Sequence, residues 1–373
     1  MNRPTLKSLL VALIGSAAIV GSCDSSTGSD DSDFDRPALL ANVANNIISP
    51  AYGNFETEIT ELETAVAAFS SDPTETNLVA AQNALHEARL AWQDVNLFGF
   101  GPALSSALRT ALNTYPTNTD KINANIVAGN NTLGTVANID AGGFPALDYL
   151  LHGTGNTNTE IVEQFTTADN AANRLSYLTA NVNFVVSEGS NVASQWEAGS
   201  GSYVSTFLSA ENSGSDVGSS LGLMVNALTE HFERFIRDGK VGIPAGVRSA
   251  GIARPTTTEA FYSGRSRELA AANLRSVLRL FLGSSISGVD GIGLAENLEA
   301  LGNSELSTSI QTELNEAINV VQGLSDPLSE NITNDPDAVL NAFAELQELV
   351  VLLKADLASS LGISITGQDN DGD

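Results

Sequence analysis

Apolar residues recur every three or four positions over much of this chain, and that spacing limits what the chain can become. Leu78, Ala81, Leu85, Ala88, Trp92 and Val95 fall on one face of a helix. The run follows Asp72-Pro73-Thr74-Glu75, which reads as an N-cap, a first-turn proline and a capping-box acid. Thr157-Asn158-Thr159-Glu160 is a second capping box and predicts a helix running to about Val186. Leu221, Val225, Leu228, Phe232 and Phe235 form a third stripe. Asn334-Asp335-Pro336 opens a last helix, in which Val339, Phe343, Leu346, Val350, Leu353 and Leu357 step by four and three. Alternating runs closed by hairpin turns are missing, so the predicted fold is all-α. Each stripe needs an apolar partner, and antiparallel bundles supply one. Polar, glycine-rich interruptions fall at Gly129–Gly143, Gly199–Ser220 and Gly239–Arg254. The middle one predicts two helical-bundle domains, 36–205 and 206–373.

Charge and cysteine content exclude several functions. The 373 residues hold 17 Lys and Arg against 44 Asp and Glu, a net charge of −27. A nucleic-acid partner would need clustered cations on its binding face, so none is expected. One cysteine rules out a disulfide framework and a thiolate zinc site. That cysteine, Cys23, follows Arg3, Lys7 and an apolar run from Leu9 to Val20, which is shorter than the ~20 residues a bilayer span requires. The segment Val20-Gly21-Ser22-Cys23 resembles a bacterial lipobox. The resemblance implies a signal peptide over 1–22, cleavage before Cys23, and diacylglycerol on its thiol. Residues 23–35 are rich in Asp, Ser, Thr and Gly and read as a flexible acidic tether. The mature chain would then lie outside the cytoplasm beside a membrane. It would keep 15 basic residues against 44 acidic, a charge of −29.

Between Gly142 and Gly153 a glycine pair turns into a short helix, Gly142-Gly143-Phe144-Pro145-Ala146-Leu147-Asp148-Tyr149-Leu150-Leu151-His152-Gly153. With Ala91-Trp92, Phe98-Gly99-Phe100-Gly101-Pro102, Lys240-Val241-Gly242-Ile243-Pro244-Ala245 and Tyr262-Ser263-Gly264, this block resembles the imelysin-like family of bacterial envelope proteins. The terminal Asp369-Asn370-Asp371-Gly372-Asp373 fits the same resemblance, which spans nearly all of the mature chain. It implies a two-domain helical-bundle protein, exported, often lipid-anchored and associated with iron acquisition. It also implies a peptidase-type metal motif, Gly-x-His-x-x-Glu. Gly143 matches the glycine of that motif, but Pro145 stands at the histidine position and Asp148 at the glutamate position. Proline offers no ring nitrogen to a metal, whereas Asp148 remains a possible carboxylate ligand.

On their own chemistry, Asp148 and His152 lie four apart on one helix face. They could share a divalent metal, iron or another, or make ordinary contacts, with His152 favoured near a helix C-terminus. His86 and His231 flank apolar stripes and read as satisfied interfacial histidines. Glu230 and Glu233 precede Arg234 and Arg237 by four, which predicts two solvated ion pairs. Nine of the mature basic residues fall between Arg234 and Arg279 with only three acids, a +6 block against −35 elsewhere. Such a block either docks the acidic half or faces an anionic ligand at an inter-domain cleft. The Asp369–Asp373 tail imitates the start of a calcium loop but ends before the bidentate glutamate. No His-Glu-x-x-His helix, nucleophile elbow or P-loop is present. Taken with what the imelysin-like resemblance implies, these features lead to the expectation of a lipid-anchored, non-enzymatic binding component linked to iron or haem uptake. The metallopeptidase and a structural partner of an envelope transporter are the alternatives.

Overall fold

The computed structural model describes residues 34–199 and 201–367. Cys23, the signal peptide expected over 1–22, the part of the expected tether up to residue 33 and the Asp369–Asp373 tail lie outside the described residues. Every regular element among the described residues is helical. Helix α1 (Arg36–Asn42) passes through a π-helical turn, Val43–Ile48, into α2 (Ser49–Ser71), and the chain then reverses into α3 (Glu75–Val95). The reversal differs by two residues from the expectation. Thr74 is the N-cap of α3, its Oγ1 accepting the Asn77 N–H at 3.3 Å, and Pro73 stays outside the helix. Proline disfavours helical backbone in the residue before it, so Asp72 is extended and closes α2 instead. The α3 stripe is as predicted: all six of its residues are at most 1% exposed.

Short helices α4 (Gly101–Ser105) and α5 (Leu108–Leu112) lead to α6 (Thr119–Ala128) and α7 (Gly143–His152). The single helix expected from Thr157 to Val186 is two, α8 (Asn158–Thr166) and α9 (Ala171–Ala193). Thr157 does cap α8, but Asn170 adopts a left-handed φ of 62° and breaks the run. Asparagine tolerates that conformation better than most residues because its short side chain can bond locally. The middle glycine-rich interruption holds α10 (Tyr203–Phe207), which contains residue 205 of the expected boundary. Tyr203 and Phe207 pack on Trp196 with ring centroids 5.2 and 5.6 Å apart.

Helix α11 (Ser220–Glu230) continues without a break into a π-helical segment, His231–Gly242. There the register moves. Phe232 and Ile236 point into the core at 0% exposure, and Phe235, expected in the stripe, is only half-buried. Beyond it lie α12 (Ser266–Leu282), α13 (Leu294–Ala300), α14 (Ser304–Gly323), α15 (Leu328–Asn334), α16 (Pro336–Val351), a π-helical turn at Leu352–Leu357, and α17 (Ala358–Ser360). Asp335 caps α16 by accepting the Ala338 N–H, with Pro336 opening the helix as predicted.

Helices α2, α3 and α9 pack together with α7, while α12, α14, α16 and the 231–242 segment form a second group. Helix α3 also lies against α12, and one continuous apolar cluster runs through both groups. The two ends are stitched as well. Asn42 Nδ2 at the end of α1 donates to the carbonyls of Gly283 at 2.7 Å and Ile292 at 2.9 Å. Among the described residues, no helix is long and apolar enough to cross a membrane.

Candidate functional site

The glycine motif builds a buried support. Gly143 opens α7 with φ +75°, and a Cβ there would lie 2.3 Å from the Leu112 carbonyl oxygen. Only glycine satisfies both the left-handed backbone and this close approach of α7 to α5. Pro145 sits in the first helical turn, where its missing N–H leaves no bond unmade. One turn on, Asp148 is 1% exposed. Its Oδ2 accepts the Tyr262 N–H at 3.0 Å, from the Tyr262-Ser263-Gly264 turn. Its Oδ1 lies 3.1 Å from Arg89 Nη1 on α3, an electrostatic contact rather than an aligned hydrogen bond.

Arg89 begins a polar chain through the interior. Its Nη2 donates to the Glu259 carbonyl at 2.6 Å. The Glu259 carboxylate pairs with Lys240 and accepts from Asn113 at 2.8 Å and Gln93 at 3.1 Å. Lys240 also donates to Gln93 Oε1 at 2.8 Å. Asn273 on α12 donates to the Gln93 carbonyl and to Asn96 Oδ1, both at 2.9 Å. His231 Nε2 then meets Asn273 Oδ1 at 2.9 Å, and His231 Nδ1 meets Arg109 Nη2 at 3.1 Å. Because arginine can only donate, Nδ1 is the acceptor and Nε2 carries the proton. Burial, reinforced by the Arg109 charge, holds His231 well below the usual imidazole range, so the ring is neutral. Burial pushes the Glu259 carboxyl up, but Lys240 and then Arg89 outweigh it, and Glu259 stays ionised below its ordinary value. Burial also lowers Lys240, with Glu259 opposing.

This chain opens at one end into a cavity of about 470 Å³ between the α3–α5 region and the 231–242 segment. Arg109 projects into it. The guanidinium lies 3.8 Å from the centre of the Phe235 ring and donates to the Asn96 carbonyl, and burial lowers its pKa to about 10. Phe235 also stacks on His231 at 5.8 Å. The register shift in the π-helical segment is what turns Phe235 from the core to this wall. π-Helical turns within α-helices are frequent at functional sites.

The other candidates fall as follows. His152 is half-buried at the end of α7, and burial lowers its pKa while Asp148 opposes. His86 is satisfied by Glu268 at 3.3 Å. Arg234 and Glu230 form the exposed ion pair predicted. The Glu233–Arg237 pair is not solvated: both side chains are at most 4% exposed, and Glu233 also meets Lys354 at 2.8 Å. In the π-helical register Arg237 turns inward, where it bonds Asp238 at 3.0 Å and Gln347 at 2.6 Å. Most of the basic block is paired in the same way, Arg248 with Asp238, Arg267 with Asp326, and Arg279 with Asp94 on α3. Arg254 and Arg275 make no ion pair among the described residues.

The residues at the motif do not fit a bound metal. Pro145 offers no ligand atom, and Asp148 holds a backbone N–H on one oxygen and faces a guanidinium on the other. Among the described residues, three carboxylates close enough to share a cation occur at Glu313, Glu316 and Glu345, on α14 and α16. The central residues of the polar chain, Arg89, Gln93, Arg109 and Glu259, escape sequence reasoning. Arg89 and Gln93 adjoin stripe residues Ala88 and Trp92 and are four apart, and that polar pair on an apolar flank was the available signal.

The fold is that of an all-helical protein of the imelysin type. The profile of the imelysin peptidase family matches residues 48–354, and this chain belongs to that family. A solved structure from Parabacteroides distasonis, described as an iron-regulated protein A precursor, superposes with a TM-score of 0.73 at 17% identity, covering 87% of this chain and 95% of that one. An imelysin-like protein from Psychrobacter arcticum gives 0.67 at 17% identity, over 90% and 99%. Iron-regulated protein A of Synechococcus elongatus is 36% identical over 70 residues, 19% of this chain and 20% of that relative's length.

Proposed function

We propose that this protein is a non-enzymatic ligand-binding component of an iron-linked system in a bacterial envelope, held to a membrane by lipid on Cys23 and working beside a transport partner. The cavity against Arg109, His231 and Phe235 is its ligand site. The observation that carries the reading is the state of Asp148. The one carboxylate at the family's motif is tied to Arg89 and to a backbone N–H, so it braces α7 against α3 and the Tyr262 turn and is engaged where a metal ligand or a base would have to be free. The iron link is supported by relatives that bear the name iron-regulated protein A.

A thermal-shift screen of the protein against ferrous iron, ferric iron and haem tests this. A ligand that binds only the native state raises the melting temperature, by an amount that grows with its concentration over Kd. An iron-bearing ligand is expected to do so in the presence and absence of zinc. Peptide cleavage that is abolished by a chelator and by Asp148→Asn would replace this reading with the metallopeptidase. Incorporation of labelled palmitate that disappears in Cys23→Ser is the expected result for the anchor.

A further inference from the structure

The cavity walls carry an asymmetry that the overall composition makes unexpected. In a chain with 44 acidic and 17 basic residues, the lining holds Arg109, Arg234, Lys240 and Arg254 and no Asp or Glu. A neighbouring cavity of the same volume shows the contrast: Glu230 and Glu233 stand there with Arg234 and Lys354, so its charges cancel. In the cationic cavity two of the four charges are answered elsewhere, Lys240 by Glu259 and Arg234 by Glu230. The other two are not. Arg109 is largely buried yet meets only neutral acceptors, the Asn96 carbonyl and His231 Nδ1, and its Nε has no partner. Arg254 is exposed at the rim without an ion pair among the described residues. A guanidinium withdrawn from water without a direct ion pair is costly, and burial depresses Arg109 although the more distant Glu230 charge opposes it. With His231 neutral and Lys240 paired to Glu259, Arg109 is the buried lining cation that has no ion pair. Phe235 and Ile243 supply apolar wall beside these donors, the usual make-up of a site for a small organic ligand.

We infer that this cavity binds a small multivalent oxyanion, a polycarboxylate or a phosphate, with Arg109 at the floor and Arg254 at the mouth. Arginine forks match both carboxylate and phosphate oxygens, so the two share one recognition chemistry. The inference deepens the proposed function and rests on its placement of the ligand site. It adds that iron would enter as an anionic chelate, since the two cations without an ion pair, Arg109 and Arg254, repel a bare metal ion.

Isothermal titration with iron-free citrate and with inorganic phosphate tests the inference on the full protein. Binding of either is expected, weakened by added salt and weakened about tenfold or more by Arg254→Ala, an exposed change that leaves the fold intact. Arg109→Lys, which keeps the charge but loses the fork, is expected to weaken binding as well. Citrate alone binding assigns the polycarboxylate, and phosphate alone assigns the phosphate. The inference is overturned if neither anion binds, or if both variants bind as the parent does. Should haem or ferrous iron raise the melting temperature while neither anion binds, the iron reading stands and this inference falls. Should anions bind while no iron-bearing ligand does, the reverse holds.

Discussion

His231 sits between two groups that dictate its state. Arg109 occupies one ring nitrogen and Asn273 the other, and burial excludes the water that would solvate a charge. Its pKa in the folded protein therefore lies below the ordinary value of ~6.5 that the unfolded chain keeps. Below about pH 6.5 the unfolded state takes up a proton that the folded state refuses, so stability is complete above that pH and declines as pH falls through it. The midpoint of thermal unfolding should fall between pH 7 and pH 5, and His231→Gln should flatten that decline. His152, lowered by burial in the same direction, leaves a residual slope. Equal slopes in parent and variant would remove His231 as the cause. At this scale the sequence is legible where the backbone sets the requirement. Gly143 and Pro145 can be placed in a turn and a first helical turn from residue type alone. Glu259 cannot be found that way, because its partners Gln93 and Asn113 lie 166 and 146 residues distant in the chain.

Among the elements, the π-helical segment His231–Gly242 has the largest effect on the site. An α-helical continuation would bury Phe235, whereas the observed register buries Ile236 and places Phe235 under Arg109. The consequence can be measured by truncation. Phe232→Ala should cost about 3–5 kcal/mol in denaturant unfolding, the range for a buried phenylalanine. Phe235→Ala should cost roughly 1 kcal/mol, close to an ordinary surface-proximal change, and should instead weaken ligand binding. Comparable losses would mean that both rings face the core. The apolar stripes of α3 and α16 are legible because a 3.6-residue period repeats for several turns. The change of hydrogen-bond period within α11's continuation is not legible, since no glycine or proline marks where it begins. The break between α8 and α9 is hidden for a related reason: it depends on the left-handed backbone of a single asparagine.

Over the whole molecule, the basic block that stands out in the sequence is mostly engaged in ion pairs, two of them with buried cations, Arg237 and Lys240. The basic block is placed correctly by counting, but its pairs, such as Arg279 with Asp94, join segments that no local pattern relates. Asp148 ties α7 to α3 and to the turn at Tyr262, so Asp148→Asn leaves Arg89 buried beside a neutral amide. A loss of about 3–5 kcal/mol is expected, as for other broken buried pairs, measured by equilibrium denaturation. Replacing Arg89 and Asp148 together with apolar residues of similar volume should recover part of that loss. The bond from Asn42 to the carbonyls of Gly283 and Ile292 has a further consequence, in time. The first helix of the body finds its anchor only when a segment some two-thirds of the chain later has been synthesised. Contacts of such long reach close late and make folding slow. During synthesis the early helices therefore stay without this anchor until residues 283–292 have been added, and an unfinished chain is exposed there to any cellular factor that binds incompletely packed helices.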